Sequence, residues 1–255
     1  MRATALVTGA SSGIGAELAK LLAADGYHLV LVARSEAPLA ELCAELARRH
    51  GIQSRALPAD LSAPAGREAV FEALRETPVD VVINNAGFGL RGPYAEIPWA
   101  DEARLIEVNI AAPAQLTRLF LPGMLARRRG RILNVASTAA FVPGPFMAAY
   151  YASKAFVRSF SEALSEETRG SGVTVTVLCP GPTETGFARA AGIEDSPIFR
   201  GPAMTAAQVA AEGYRAMMRG KRECIAGARN RWMIRGAGFA PRGLLAGIAR
   251  RLNCA

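Results

Sequence analysis

Short apolar runs alternate with stretches of helical period along most of the chain. Residues 3–8 (ATALVT), 28–33 (HLVLVA), 52–58, 79–84 (VDVVIN), 130–136 (GRILNVA) and 173–178 (VTVTVL) read as strands. Several are apolar almost without alternation, as in parallel strands covered on both faces. Between them the spacing predicts helices at about 13–25, 36–50, 64–77, 99–127 and 148–170. This alternation implies right-handed strand–helix–strand units and an α/β fold, a doubly wound parallel sheet of about seven strands flanked by helices. After residue 180 the pattern weakens: 181–204 is rich in Gly and Pro, followed by a helix at about 205–219 and a short strand near 223–227 (ECIAG). From Ala228 onward, arginines mix with Trp232, Met233, Phe239, Leu244 and Leu245. Gly236, Gly238, Pro241 and Gly243 argue against one continuous amphipathic helix there.

Composition narrows the class. The chain has 255 residues, half hydrophobic and a fifth charged, enough for a packed core without disulfides or metals. It reads as a single domain over 1–255. Cys43, Cys179, Cys224 and Cys254 show no CxxC or Cys/His spacing, so neither a metal site nor a disulfide framework is expected, and a reducing cytoplasm is. The start, MRATALVTGA, runs directly into a strand, so no signal peptide is expected. No apolar run approaches the roughly 20 residues of a membrane span. The net charge of +8 is unevenly placed: residues 215–255 hold ten Arg and Lys against Glu223 alone, leaving the rest of the chain near neutral. A basic segment on a neutral body argues against a nucleic-acid partner.

The chemistry begins at Thr8-Gly9-Ala10-Ser11-Ser12-Gly13-Ile14-Gly15, between the first strand and the first helix. Glycine permits a sharp turn and close approach to a pyrophosphate, and a helix N-terminus offers free N–H groups and partial positive charge. The spacing GxxxGxG differs from the GxGxxG of larger dinucleotide-binding enzymes. As a string, TGASSGIG resembles the cofactor loop of the short-chain dehydrogenase/reductase family. The resemblance runs from Ala3 to about Thr185. Asp60-Leu61 closes the third strand, where the family's aspartate contacts adenine. Asn84-Asn85-Ala86-Gly87 closes the fourth and resembles its NNAG. Pro180-Gly181-Pro182-Thr183-Glu184-Thr185 closes the sixth and resembles its PGxxxT, whose threonine touches the nicotinamide carboxamide. All lie at predicted strand C-terminal ends, where ligands bind an open parallel sheet. The resemblance implies a Rossmann-type domain with Gly9, Ser11, Ser12, Gly13, Ile14, Gly15, Asp60, Leu61, Asn85, Ala86, Gly87, Pro180, Gly181, Thr183 and Thr185 around the cofactor.

Tyr150 and Lys154 form Y-x-x-x-K at the start of the fifth helix, on one face. A tyrosine titrates near 10, too high for acid/base work near neutrality, and a nearby ammonium is expected to lower it. Lys154 also suits the nicotinamide ribose. Ser137 ends the fifth strand, where its hydroxyl would hold the substrate oxygen. Asn109 stands mid-helix, an odd place for a poor helix former. Together these match the family's Asn-Ser-Tyr-Lys tetrad in identity and order; its asparagine orients a water that relays protons to the lysine. Tyr151 is the rival to Tyr150, with a less suitable spacing of three.

The expected function is hydride transfer between NADP(H) and a carbonyl or alcohol. The alternatives are an NADP(H)-sensing protein without catalysis and a membrane-peripheral reductase of a lipophilic ketone. Residues 186–204 are expected to line the substrate pocket, offering Phe187, Ile193, Ile198 and Phe199 beside Arg189, Glu194, Asp195 and Arg200. The basic extension at 228–255, which resembles that of bacterial family members, reads as a lid or an oligomer contact in preference to a membrane anchor. Relatives pair through the two long helices, which implies a homodimer or homotetramer. Cofactor choice rests on Leu31-Val32-Ala33-Arg34-Ser35: no acid reads the ribose hydroxyls, and Arg34 suits a 2′-phosphate, although Ser12 stands where many NADP users carry a second basic residue. NADPH is therefore expected to bind more tightly than NADH, and Arg34→Asp to reverse the order. Calorimetric titration finding NADH equal or better in the unmutated protein would overturn this.

Overall fold

The computed structural model describes residues 2–193, 196 and 203–254. The elements run β1 (Thr4–Thr8), α1 (Gly13–Ala24), β2 (His28–Ala33), α2 (Glu36–His50), β3 (Ser54–Pro58), α3 (Pro64–Glu72), β4 (Val79–Asn84), α4 (Trp99–Ile106), a π-helical turn (Glu107–Ala111), α5 (Ala112–Ala126), β5 (Gly130–Val135), a 3₁₀ turn (Thr138–Phe141), α6 (Ala148–Glu167) and β6 (Val173–Cys179). They continue with β7 (Thr183–Glu184), α7 (Phe187–Ala190), β8 (Met204–Thr205), α8 (Ala206–Met218), β9 (Glu223–Ile225), α9 (Ala228–Ala237) and α10 (Arg242–Asn253).

Seven strands form one parallel sheet in the order β3-β2-β1-β4-β5-β6-β9, and β7 pairs with β8 apart from it. This is the doubly wound α/β sheet that the apolar runs predict. The chain reverses direction across the sheet between β1 and β4, which opens a crevice at their C-terminal ends. On one face Leu18, Leu22, Leu39, Leu46, Val209 and Met217 from α1, α2 and α8 cover the sheet. On the other, Val70, Leu116, Phe120 and Met124 from α3 and α5 do so. The termini follow local chemistry: Gly51, at φ 60°, closes α2 in the left-handed region, and Thr205 and Gln208 form a capping box on α8.

The long helix predicted at 99–127 is broken. Ala112 donates to Glu107 O, an i→i−5 step, in the turn that carries Asn109. Pro113 explains the break. It has no N–H for Asn109 O four residues back or Val108 O five residues back, so the α ladder fails there. The segment from Ala228 is two helices, α9 and α10, separated at Gly238–Pro241, as its Gly and Pro residues imply.

Packing of α1 on the first turn leaves no room at Gly15: a Cβ there would lie 2.3 Å from Gly9 O and 2.5 Å from Asn85 Nδ2. Gly15→Ala must push backbone aside and is expected to cost about 1–3 kcal/mol or more. Urea unfolding checks this, and an unchanged midpoint would contradict it.

Candidate functional site

A cavity of about 890 Å³ opens along the C-terminal ends of the strands, from the Gly-rich turn to α9 and α10. Thr8 fixes the turn from behind. Its Oγ1 donates to Ile83 O at 3.2 Å and accepts from the N–H of Asn85 at 3.0 Å and of Ala86 at 3.1 Å. Asn85 Nδ2 donates to Thr8 O and Gly9 O, both at 3.0 Å. Gly9, at φ 63°, could not be replaced without conflict, since a Cβ would stand 2.8 Å from Ala86 Cα. Ser11, Ser12, Gly13 and Ile14 form the cavity wall, and Ser12 makes no side-chain cap, so no side chain of its own cap occupies the α1 N-terminus.

Arg34, Asp60, Leu61, Ala86, Gly87, Pro180, Gly181, Thr183 and Thr185 also line the cavity. Arg34 is exposed and has no ion-pair partner among the described residues. Asp60 Oδ1 accepts from Ser62 N and Oγ at 3.0 and 2.7 Å; these bonds, with the Arg34 charge, hold its carboxyl below the usual range. The donor set fits a dinucleotide: a helix N-terminus, a glycine turn with no side chains in the way, and a cation at the far rim. Gly15 is the exception among the residues expected there. It lies behind Gly9, off the cavity wall, because its role is to let α1 pack against the turn.

Ser137, Tyr150 and Lys154 meet on the opposite wall. Ser137 N-caps the 3₁₀ turn, accepting from Ala139 N at 3.1 Å and donating to Pro180 O at 3.4 Å, and its hydroxyl lies near enough to the Tyr150 phenol to favour the phenolate. Lys154 Nζ donates to Val135 O at 3.0 Å and stands 5.9 Å from the Tyr150 ring centroid. Gly87 makes room for this convergence: a Cβ there would lie 3.3 Å from Lys154 Nζ and 3.1 Å from Asn109 Oδ1. Asn109 does not reach the cavity, although its neighbour Val108 does. Its amide is used on Phe88, accepting from N at 3.1 Å and donating to O at 2.9 Å, and donates again to Ser153 Oγ at 3.1 Å.

The electrostatics correct one expectation. Burial pushes the Tyr150 phenol up to about 12, only partly offset by Ser137. Lys154 is itself brought down to about 8 by burial. Desolvation by burial disfavours the charged form of each group and is the largest cause of both shifts. Tyr151 turns elsewhere, its hydroxyl donating to Asn253 Oδ1 at 3.3 Å.

Of the expected substrate segment, Phe187 packs with its ring centroid 5.2 Å from that of Tyr150, tilted by 42°, and Ile193 lines the cavity. Glu194, Asp195, Ile198, Phe199 and Arg200 lie outside the described residues. Sequence reasoning missed much of the remaining wall, including Arg104, Met147, Ile234, Leu245, Ile248 and Leu252. The signal was present: Leu245, Ile248, Ala249 and Leu252 follow i, i+3, i+4, i+7, one apolar helix face. Among the described residues, no group of His, Cys, Asp and Glu is placed to hold a metal, and no helix is long and apolar enough to cross a membrane.

The profile of the short chain dehydrogenase family matches residues 3–195. The chain belongs to this family. Among curated relatives of this short chain dehydrogenase, a very-long-chain 3-oxoacyl-CoA reductase of Laccaria bicolor is 39% identical over 180 residues, covering 69% of this chain and 53% of its own length. The ketoacyl reductase HetN of Nostoc sp. is 37% identical over 180 residues, covering 70% and 62%. The chain thus spans between about half and three fifths of these relatives' lengths. A short-chain dehydrogenase from Sphingobium yanoikuyae, solved in complex with NADPH, superposes with a TM-score of 0.82 at 33% identity, covering 99% of this chain and 98% of that one.

Lys154 carries a testable cost. Its depressed pKa means that folding desolvates an ammonium at neutral pH. Lys154→Met, measured without added dinucleotide, is expected to raise Tm by roughly 2–4 °C at pH 7. The folded ammonium titrates near 8 and the unfolded one near 10.5, so the unmutated protein gains stability as pH rises through that window. The variant's advantage should therefore shrink between pH 8 and 10.5. A lower Tm in the variant at pH 7 would contradict this.

Proposed function

We propose that this short chain dehydrogenase is an NADP(H)-dependent oxidoreductase acting on a carbonyl or alcohol. The observation that carries the reading is the convergence of Ser137, Tyr150 and Lys154 on the wall facing the Gly-rich turn. The dinucleotide, when bound, supplies or accepts a hydride. Ser11 to Ile14 would hold its phosphates at the α1 N-terminus, Arg34 its 2′-phosphate and Asp60 its adenine side. Burial keeps the Tyr150 phenol protonated, so Tyr150 Oη is a proton donor to a substrate oxygen that Ser137 Oγ orients. As that proton leaves, the Lys154 ammonium stabilises the phenolate and reprotonates it. Asn109 fixes the Phe88 backbone and, through Ser153, the first turn of α6. Both donors of its amide are engaged, which leaves its carbonyl oxygens, side-chain and backbone, for the water relay expected of it.

The relatives' names point to a ketone on an acyl chain, and a wall of Val142, Met147, Leu245, Ile248 and Leu252 suits an apolar carbonyl compound. The four cysteines are free, which suits a reducing compartment. Exposed Trp99, Leu125 and Phe156 on α4, α5 and α6 support pairing through those helices.

The test is NADPH oxidation with a panel of apolar and acyl ketones. Tyr150→Phe is expected to lower kcat by about 100-fold or more with NADPH affinity nearly unchanged. Lys154→Ala should harm both, and Tyr151→Phe should matter little. NADPH binding without turnover of any ketone, in the unmutated protein, would favour a sensing role instead.

A further inference from the structure

We propose that α9 and α10 dock this protein on an anionic lipid bilayer, with the mouth of its cavity at the docked face. Exposed large apolar side chains concentrate there. Phe239 is 94% exposed, Trp232 73%, Leu244 58%, Met233 52% and Ile248 48%. Elsewhere on the described surface only Tyr94, Trp99, Leu125 and Phe156 are comparably open. Water solvates five such side chains within 17 residues poorly, so the cluster calls for a covering.

Charge selects the covering. Residues 224–255 contain Arg229, Arg231, Arg235, Arg242, Arg250 and Arg251 and no Asp or Glu. Only Arg231 has a carboxylate partner, Glu212 at 3.0 Å; the others are unpaired among the described residues. Arg235 lies 5.9 Å over the Trp232 ring, so a cation and an aromatic share one patch. A second copy meeting this face about a two-fold axis would set arginine against arginine. A bilayer with anionic headgroups answers both features, taking the guanidiniums at its surface and the aromatic and aliphatic side chains just below it.

The opposite face of the same hairpin is already used. Ile234, Leu245, Ala249 and Leu252 line the cavity. Met233 and Ile248 line it too and remain half open to solvent, which puts them at its rim. Asn253 pins the end of α10, accepting from Tyr151 Oη and donating through Nδ2 to Pro145 O at 3.0 Å. The turn around Phe239 is thereby presented outward while the inner face stays against the cavity. An apolar substrate can then pass from bilayer to cavity without crossing bulk water.

The experiment reads binding independently of turnover. The chain holds two tryptophans, Trp99 and Trp232, so Trp99→Phe leaves Trp232 as the sole reporter. Vesicles of 70:30 phosphatidylcholine and phosphatidylserine, taken here as roughly the anionic content of a cytoplasmic leaflet, should pellet this protein and shift Trp232 emission to the blue. Pure phosphatidylcholine vesicles should bind it much less. Phe239→Ser with Leu244→Ser should weaken vesicle binding by about tenfold or more. Both side chains are exposed and neither lines the cavity, so melting curves and ketone turnover should be unchanged. Absence of pelleting with either lipid, or pelleting undiminished in the double variant, overturns the proposal. So does light scattering in which the double variant alone loses a subunit and no vesicle binding is seen, because the face would then join copies of the chain. None of these results bears on whether the protein is an oxidoreductase.

Discussion

Where β1 and β4 part, the ends of two parallel strands would leave backbone donors and acceptors unpaired inside the protein. Thr8 and Asn85 satisfy them reciprocally. The threonine hydroxyl takes both N–H groups that follow β4, and the asparagine amide returns to the last carbonyl of β1 and the one after it. The clasp has a steric condition, the absence of a Cβ at Gly9 and Gly15. Because these bonds are made on the inner side, the outer side of the turn and the N-terminus of α1 stay available to a ligand. The crevice is thus a consequence of strand order, and the clasp is what lets it exist without orphaned polar groups.

The second wall depends on the rotation of α6 about its axis. Tyr150, Lys154, Val157 and Ser161 follow i, i+4, i+7, i+11, so one stripe carries both polar groups of the site and the contacts that orient it. That stripe is unusually polar beside the one on α5, where Ala112, Leu116, Phe120 and Met124 are buried. Its polarity is satisfied by a directional network. Asn84 Nδ2 donates to Asn134 Oδ1 at 2.8 Å, Asn134 Nδ2 to Ser161 Oγ at 2.9 Å, and Ser161 Oγ to Val157 O. Apolar packing alone tolerates a helix turning by several degrees. A chain of buried hydrogen bonds does not, and it fixes where Tyr150 and Lys154 point.

The sheet was legible because each core strand is buried on both faces, and uninterrupted β-branched runs between glycines have few other solutions. Motif residues at strand ends were legible for the same reason: once the strands are set, their C-termini fall on one edge. What escaped has identifiable physics. Gly15 looks like a ligand contact in a string, yet it lies off the cavity wall and relieves a clash, and Asn85, which does line the cavity, also closes the clasp. Pro113 hid the break at Asn109, since one missing N–H was outweighed by eight turns of helical period around it. The direction of the Tyr150 shift was misjudged because spacing to Lys154 is visible in sequence whereas the desolvation of both groups is not. The role of α9 and α10 was only half visible. Gly and Pro ruled out one helix, and the stripe of Leu245, Ile248, Ala249 and Leu252 marks the inner face of α10, but the exposed Trp232, Phe239 and Leu244 on the outer side follow no such stripe.

The division of labour along the chain follows. The family profile ends at residue 195, and the clasp, the Gly-rich turn and the Ser137–Tyr150–Lys154 wall all lie before it. Much of the apolar cavity wall lies after it, on α9 and α10. Chemistry that every member of a fold can share requires sub-ångström positioning, so it sits on strand ends and a helix locked by buried hydrogen bonds. Choice of substrate requires only a surface of the right shape and polarity, and a hairpin held at its far end can supply it. Asn253 provides that hold through Tyr151, the immediate neighbour of Tyr150 in sequence, so the segment that shapes the pocket is tied to the helix that carries the proton donor. Displacing α10 would break a buried bond on α6, one residue from the phenol.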